Sequence, residues 1–211
     1  MSVEFSDVAA GLWIWRVEHP MWRREHDWQQ VVTSTCVESR GETLVLDPIV
    51  PPDAAAAIWA RLDARSPTAV VVQKPDHVRD VDQVVRRYHA RAFGPRLYWR
   101  GDIPETVLSP IEPGNELPGG LVALYDGRGR EETPLWLPEQ RALVFADALT
   151  ERSGELRIWW TPHLERARPA LRALLELPFE HVIISHGEPV HSRAAYERAL
   201  ELPAWRHAPP G

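Results

Sequence analysis

Four times along this chain a short apolar run stops at a residue with acid–base or metal-ligating chemistry, and that repetition most narrows the folds open to it. Thr68 to Gln73 leads to Asp76 and His77, and Leu121 to Tyr125 leads to Gly127 and Arg128. Leu143 to Ala146 leads to Asp147, and Val182 to Ser185 leads to His186. Runs this short, apolar and bounded by turn residues read as buried strands. After the first of them the spacing changes, because Val81, Val84, Val85 and Tyr88 fall at i, i+3, i+4 and i+7, the stripe of an amphipathic helix. Strand alternating with helix implies a layered α/β fold whose strand ends share one rim, where such folds hold their chemistry. A lone Asp after a strand is usually a turn former. Together, the four strand ends are candidates for one convergent site.

The remaining pattern is consistent with that architecture. Trp13 and Trp15 alternate, which puts both indoles on one face of a strand, packed in the sheet. Glu18 to Gln29 is too polar and irregular for a strand, yet carries His19, Trp22, His26 and Trp28, and is expected to form a flap beside the site. Gln30 to Glu38 and Thr43 to Pro48 read as strands joined by a hairpin with Gly41, the second ending at Asp47. Asp53 is expected to cap a helix running to Ala64, with Ile58, Trp59 and Leu62 inward. The next helix is expected to stop only before Gly94-Pro95, with a strand at Arg96 to Trp99. Leu135 to Leu137 and Ala142 to Ala146 make a further hairpin. Leu164, Ala167, Leu171, Leu174 and Leu175 share a helical face, with His163 at its start, and Ser192 to Leu200 forms the last helix. The Pro-rich tail from Pro203, with His207, is expected to fray.

Composition then excludes whole classes. A chain of 211 residues with 44% hydrophobic content suits one domain, 1–211, with a substantial core. The net charge of -6, with both signs interspersed, disfavours nucleic acid and anionic membrane surfaces as partners and leaves small molecules or proteins. No basic leader and no membrane-length apolar run are present, so a cytoplasmic protein is expected. Cys36 is the one cysteine and is expected to be a buried apolar atom, so a metal would need His and carboxylate ligands. Phosphate-binding glycine loops and nucleophile elbows are absent from the sequence. Lys74 is the only lysine in a chain that otherwise uses arginine.

In order and flanking residues the strand ends resemble the metallo-β-lactamase superfamily, the hydroxyacylglutathione-hydrolase and lactonase-like branch in particular. The resemblance covers nearly the whole chain. Leu44-Val-Leu-Asp-Pro48 is similar to the family's early strand ending in Asp. Its His-x-His-x-Asp-His motif is matched by Val72-Gln73-Lys74-Pro75-Asp76-His77. Asp126-Gly127-Arg128, ahead of Leu137-Pro138-Glu139, puts Arg128 where the family has a third His. Leu143-Val-Phe-Ala-Asp147 resembles the strand that ends in the bridging Asp, and Ser185-His186-Gly187 the last ligand. The resemblance implies a four-layer αββα sandwich. It also implies that one metal position, matched by Val72, Lys74, Arg128 and Asp147, has lost three ligands, while the other, Asp76, His77, Asp147 and His186, keeps all four.

Two readings follow. In the first, Lys74 and Arg128 replace the charge of a lost ion opposite Asp76 and Asp147. The protein is then a pseudoenzyme or small-molecule binding module with no dinuclear hydrolase activity. In the second, Asp76, His77, Asp147 and His186 hold one divalent ion, zinc, iron or manganese, that activates water against an ester, thioester or lactone. Lys74 and Arg128 then bind an anionic substrate or stabilise an oxyanion, and a buried Lys74 could also serve as base or Schiff-base nucleophile. Oligomeric state is not legible in the sequence.

Overall fold

The computed structural model describes residues 3–129 and 131–206. The chain begins with strands β1 (Glu4–Ala9), β2 (Leu12–Glu18), β3 (Val31–Ser39) and β4 (Glu42–Leu46), each antiparallel to the last. It then crosses over through helix α1 (Ala56–Ala64) to β5 (Ala69–Val71) and through α2 (Val81–Tyr88) to β6 (Arg91–Gly94). β4, β5, β6 and the short β7 (Ser109–Pro110) pair in parallel, completing a seven-stranded sheet in sequence order. The second half forms β8 (Val122–Ala123), β9 (Leu135–Leu137) and β10 (Ala142–Phe145), then a separate hairpin of β11 (Leu149–Arg152) and β12 (Glu155–Ile158). Helix α3 (Leu164–Ala173), β13 (His181–Ile184) and α4 (Arg193–Glu201) follow. The second sheet runs β13, β10, β9, β8.

Period-two alternation decides which layer each side chain joins. Leu12, Ile14, Ala69 and Val71 of the first sheet meet Leu135, Leu137, Ala142 and Val144 of the second in a dry inter-sheet core. Their neighbours face outward: Trp13 and Trp15 under Ile58 and Leu62 of α1, Val70 and Val72 under Val81 and Val84 of α2. Leu143 and Phe145 lie likewise under α3 and α4. The result is an αββα sandwich. Cys36 is buried and free, and burial pushes its thiol pKa up. No helix among the described residues is long and apolar enough to cross a membrane.

Several local expectations are corrected. Asp53 does not cap α1: the helix begins at Ala56 after a turn in which the Ala55 amide bonds the Pro52 carbonyl at 2.8 Å, while Trp59, half-buried, packs against the cluster of Ile58 and Leu62 as expected. α2 ends at Tyr88 because His89 turns left-handed at φ 54°, and the following strand is Arg91–Gly94 instead of 96–99. Parallel pairing with β5 sets that position, since Val71 lies opposite Phe93. The tail does not fray at Pro203, because Trp205 bridges to Trp159 with ring centroids 5.5 Å apart; His207 lies outside the described residues. Ser192 does cap α4, its Oγ accepting from the Ala195 amide at 3.2 Å.

Candidate functional site

The site is assembled at the ends of β4, β5, β10 and β13. Asp47, just past β4 and left-handed at φ 46°, is its anchor. One carboxylate oxygen accepts from the Gln73 amide at 2.7 Å and the other bonds His77 Nδ1 at 2.8 Å. That second contact settles the His77 ring, so Nε2 faces the cleft. Gln73 ties the rim together by donating from Nε2 to the Val144 carbonyl of the facing sheet at 2.9 Å. Val72 is fully buried and packs under α2 with the apolar residues.

Lys74, Asp76, His77, Asp147 and His186 do converge. The Lys74 ammonium bridges two carboxylates, 2.5 Å from Asp76 Oδ2 and 2.9 Å from Asp147 Oδ2. Burial pulls the Lys74 pKa down, but Asp147 and Asp76 overcome it, so the amine is held protonated well above neutral pH. Burial opposes charge on Asp147, yet Lys74, His77 and His186 hold its carboxyl well below the usual range. The other Asp147 oxygen, Oδ1, lies 3.5 Å from His77 Nε2 and 3.4 Å from His186 Nε2, and is buried without a hydrogen-bond partner. Burial lowers the pKa of His186. On His77, burial and Arg79 disfavour charge, while Asp147 and Asp47 prevail and raise it.

Arg128 lines the cleft, but its ion pairs point elsewhere. Nε meets Asp126 Oδ2 at 2.5 Å, and Nη2 donates to Glu132. Glu132 in turn accepts from the amides of Ala146, Asp147 and Ala148 at 2.7–2.8 Å, so this buried cluster shapes the turn that presents Asp147. The ion pairing of Arg128 with Asp76 or Asp147 anticipated from the sequence is therefore corrected: two nearer buried carboxylates claim the guanidinium. Gly127, at φ 84°, lets the α3 backbone lie close against this loop, since a Cβ there would collide with the Arg166 carbonyl oxygen.

Sequence reasoning missed Arg79. Left-handed at φ 45°, it donates to the Asp47 carbonyl at 3.0 Å and to Ser185 Oγ at 2.9 Å, with Nη2 3.3 Å from His77 Nε2. Its place two residues after His77, at the start of α2, was the available signal. Of the segment Glu18 to Gln29, His19, Asp27 and Trp28 do line the site. Trp28 packs on His186 at 5.6 Å, with His19 and His26 against Trp28 at 5.0 and 5.1 Å. Gln29 and Arg152 pin the segment by bonds to the Glu151 and Asp27 carbonyls at 2.6 and 2.5 Å. Burial, with Arg79, His77 and His186 near, lowers the pKa of His19 to about 4. The open cleft measures about 400 Å³, and Trp159 lines it with its ring centroid 5.4 Å from that of His186.

Two metal positions do not fit this chain, because the Lys74 ammonium is paired with Asp147, the one carboxylate they would share, and with Asp76, and Val72 offers no ligand atom. One position fits the donor chemistry: His77, Asp147 and His186 each offer an atom within 4.8 Å of the others, and Asp147 Oδ1 is an unpartnered acceptor between two imidazole nitrogens. Asp76, turned to Lys74, is outside that group.

No family model matches the chain, and no curated protein does. Solved structures do. The DIM-1 metallo-β-lactamase superposes with a TM-score of 0.71 at 12% identity, covering 96% of this chain and 97% of that one. FIM-1 from Pseudomonas aeruginosa, in a mono-zinc form, gives 0.70 at 17%, covering 95% and 94%. The family protein TTHA1429 from Thermus thermophilus gives 0.64 at 17%, covering 91% and 77%. This chain has the metallo-β-lactamase fold, the αββα class that its motif order implies. Identities this low establish the fold and carry nothing about branch or substrate.

Proposed function

We propose that this protein uses the cleft of a metallo-β-lactamase fold to bind a small molecule, with Lys74 standing in for one metal ion, and that it has no dinuclear hydrolase activity. The bridging of Asp76 and Asp147 by the Lys74 ammonium at 2.5 and 2.9 Å carries this reading. A cation there satisfies two carboxylates that would otherwise repel, and it opposes an incoming ion. Unit charges a few Å apart interact by about 4 kcal/mol at an effective dielectric near 20. Held protonated, Lys74 is not a base or Schiff-base nucleophile at neutral pH. The cleft is lined by three cations, Lys74, Arg79 and Arg128, and by four carboxylates, Asp27, Asp76, Glu131 and Asp147, so it has no surplus positive charge for a strongly anionic ligand.

A second reading rests on Asp147 Oδ1, buried and unpartnered between His77 and His186. Those three residues would hold one divalent ion, which when bound supplies Lewis acidity for hydrolysis of an ester, thioester or lactone. Asp47 would orient His77 for it. Metal content of untagged protein, purified without chelator and then offered zinc, iron and manganese in turn, decides between them. Less than a tenth of an equivalent throughout supports the ion-paired cleft. About one equivalent, lost in His186→Ala, overturns it in favour of the mononuclear centre.

A further inference from the structure

Beside the charged cleft lies a second hollow of about 520 Å³, lined by Lys74, Pro75, Leu97, Tyr98, Trp99, Arg100 and Glu131. Lys74 and Glu131 line both, so the two hollows adjoin. The first is walled mainly by charge and the second by apolar and aromatic side chains. Leu97 and Trp99 are 58% and 64% exposed, although nothing in their segment's anchoring requires it. Arg96 is held to Glu112 at 2.8 Å, Tyr98 packs inward against the α2 cluster, and the Asp102 amide bonds the Trp99 carbonyl at 2.9 Å. A tethered segment therefore presents two large apolar side chains to solvent at the mouth of a cleft, an arrangement that marks a ligand or partner surface.

We infer that the ligand of this cleft is amphiphilic: a polar head of low net charge on the Lys74 floor, and an acyl or aryl arm lying along Leu97, Tyr98 and Trp99. The inference rests on the reading of the cleft as a small-molecule site, whether or not a metal is held there. The occupant follows from the shared Lys74 wall. A hollow that opens onto Lys74 suits an extension of whatever sits on that floor, and its apolar wall suits a hydrocarbon extension. The balanced charges of the floor select a near-neutral head over a polyanionic one.

The arm can be tested without knowing the head. The full chain is titrated with n-butanol, n-hexanol and n-octanol while the Trp99 indole N–H is followed by nuclear magnetic resonance, the signal being assigned from its loss in Trp99→Phe. The dissociation constant is expected to fall by about threefold per added methylene. Leu97→Ser, which keeps the Trp99 signal, is expected to weaken octanol at least threefold while circular dichroism stays unchanged, the residue being exposed. Running the series with and without zinc separates this inference from the metal question, because the chain-length dependence is expected to be the same in both. Affinity independent of chain length, or shifts confined to Trp59 in the groove between α1 and α2, would overturn it. A dimer in sedimentation that Leu97→Ser converts to monomer would also overturn it, making the patch an interface between copies of the chain.

Discussion

Lys74 and Arg128 stand at two positions where the resemblance expects histidine ligands, carry the same charge and border the same cleft, yet they do different things. Lys74 projects into the site and joins carboxylates from two strand ends, Asp76 and Asp147. Arg128 folds back on its own loop, onto Asp126 and Glu132, and supports the turn at Asp147 through the backbone amides that donate to Glu132. Replacing a ligand with a cation is thus not one kind of change. Reach and local competition decide whether the new charge substitutes for an ion or becomes part of the frame. The flexible lysine stem spans the gap between strand ends, whereas the guanidinium finds two buried carboxylates within four residues.

This contrast breaks if the two cations prove interchangeable. Arg128→Met strands Asp126 and Glu132 in the interior, and is expected to cost about 3–5 kcal/mol in denaturant unfolding, with no gain in metal binding. The double variant Arg128→Met/Asp126→Asn should recover part of that loss, since one stranded charge is gone and the Asn oxygen can still accept from the residue-128 amide. Lys74→Met is expected to cost less, roughly 2 kcal/mol, because Asp76 is partly exposed and water screens it. Unlike Arg128→Met, it is expected to raise zinc affinity at least tenfold by isothermal titration, with Asp76 and Asp147 freed of their cation. Equal stability losses, or zinc affinity unchanged in Lys74→Met, would show that Lys74 too is only part of the frame.

The smallest effect sharpens the comparison from the flap side. His19 has its folded pKa lowered to about 4 from 6.5, chiefly by burial, so it is neutral in the closed flap and protonates more readily when released. Its contribution to closure is fully present above pH 6.5 and declines as pH falls toward 4. Hydrogen exchange of residues 19–30 is expected to accelerate modestly over that range and to lose part of this dependence in His19→Gln. An unchanged profile in the variant would remove His19 from the closure.

Where chemistry could lie was legible because strand endings are local. Leu143 to Phe145 alternate faces and then stop at Asp147, and Asp76-His77 and His186 follow runs of the same kind. Less legible was β6, whose place depends on pairing with β5 and not on its own apolar content. Arg79 escaped because its role needs left-handed backbone and two partners distant in sequence, Asp47 and Ser185. The partners of Arg128 were open to inspection, since Asp126 and Glu132 flank it closely, but nothing in spacing says which carboxylate a guanidinium will choose.

By itself, then, the sequence determined the layered architecture and the residues available at the rim, because periodicity and strand ends are properties of neighbouring residues. Only the tertiary structure decided that Lys74 bridges Asp76 and Asp147, that Asp47 turns His77 and that Arg128 faces away. Each of those outcomes depends on distances of a few Å between side chains, most of them on segments far apart in the chain, where the nearest opposite charge wins.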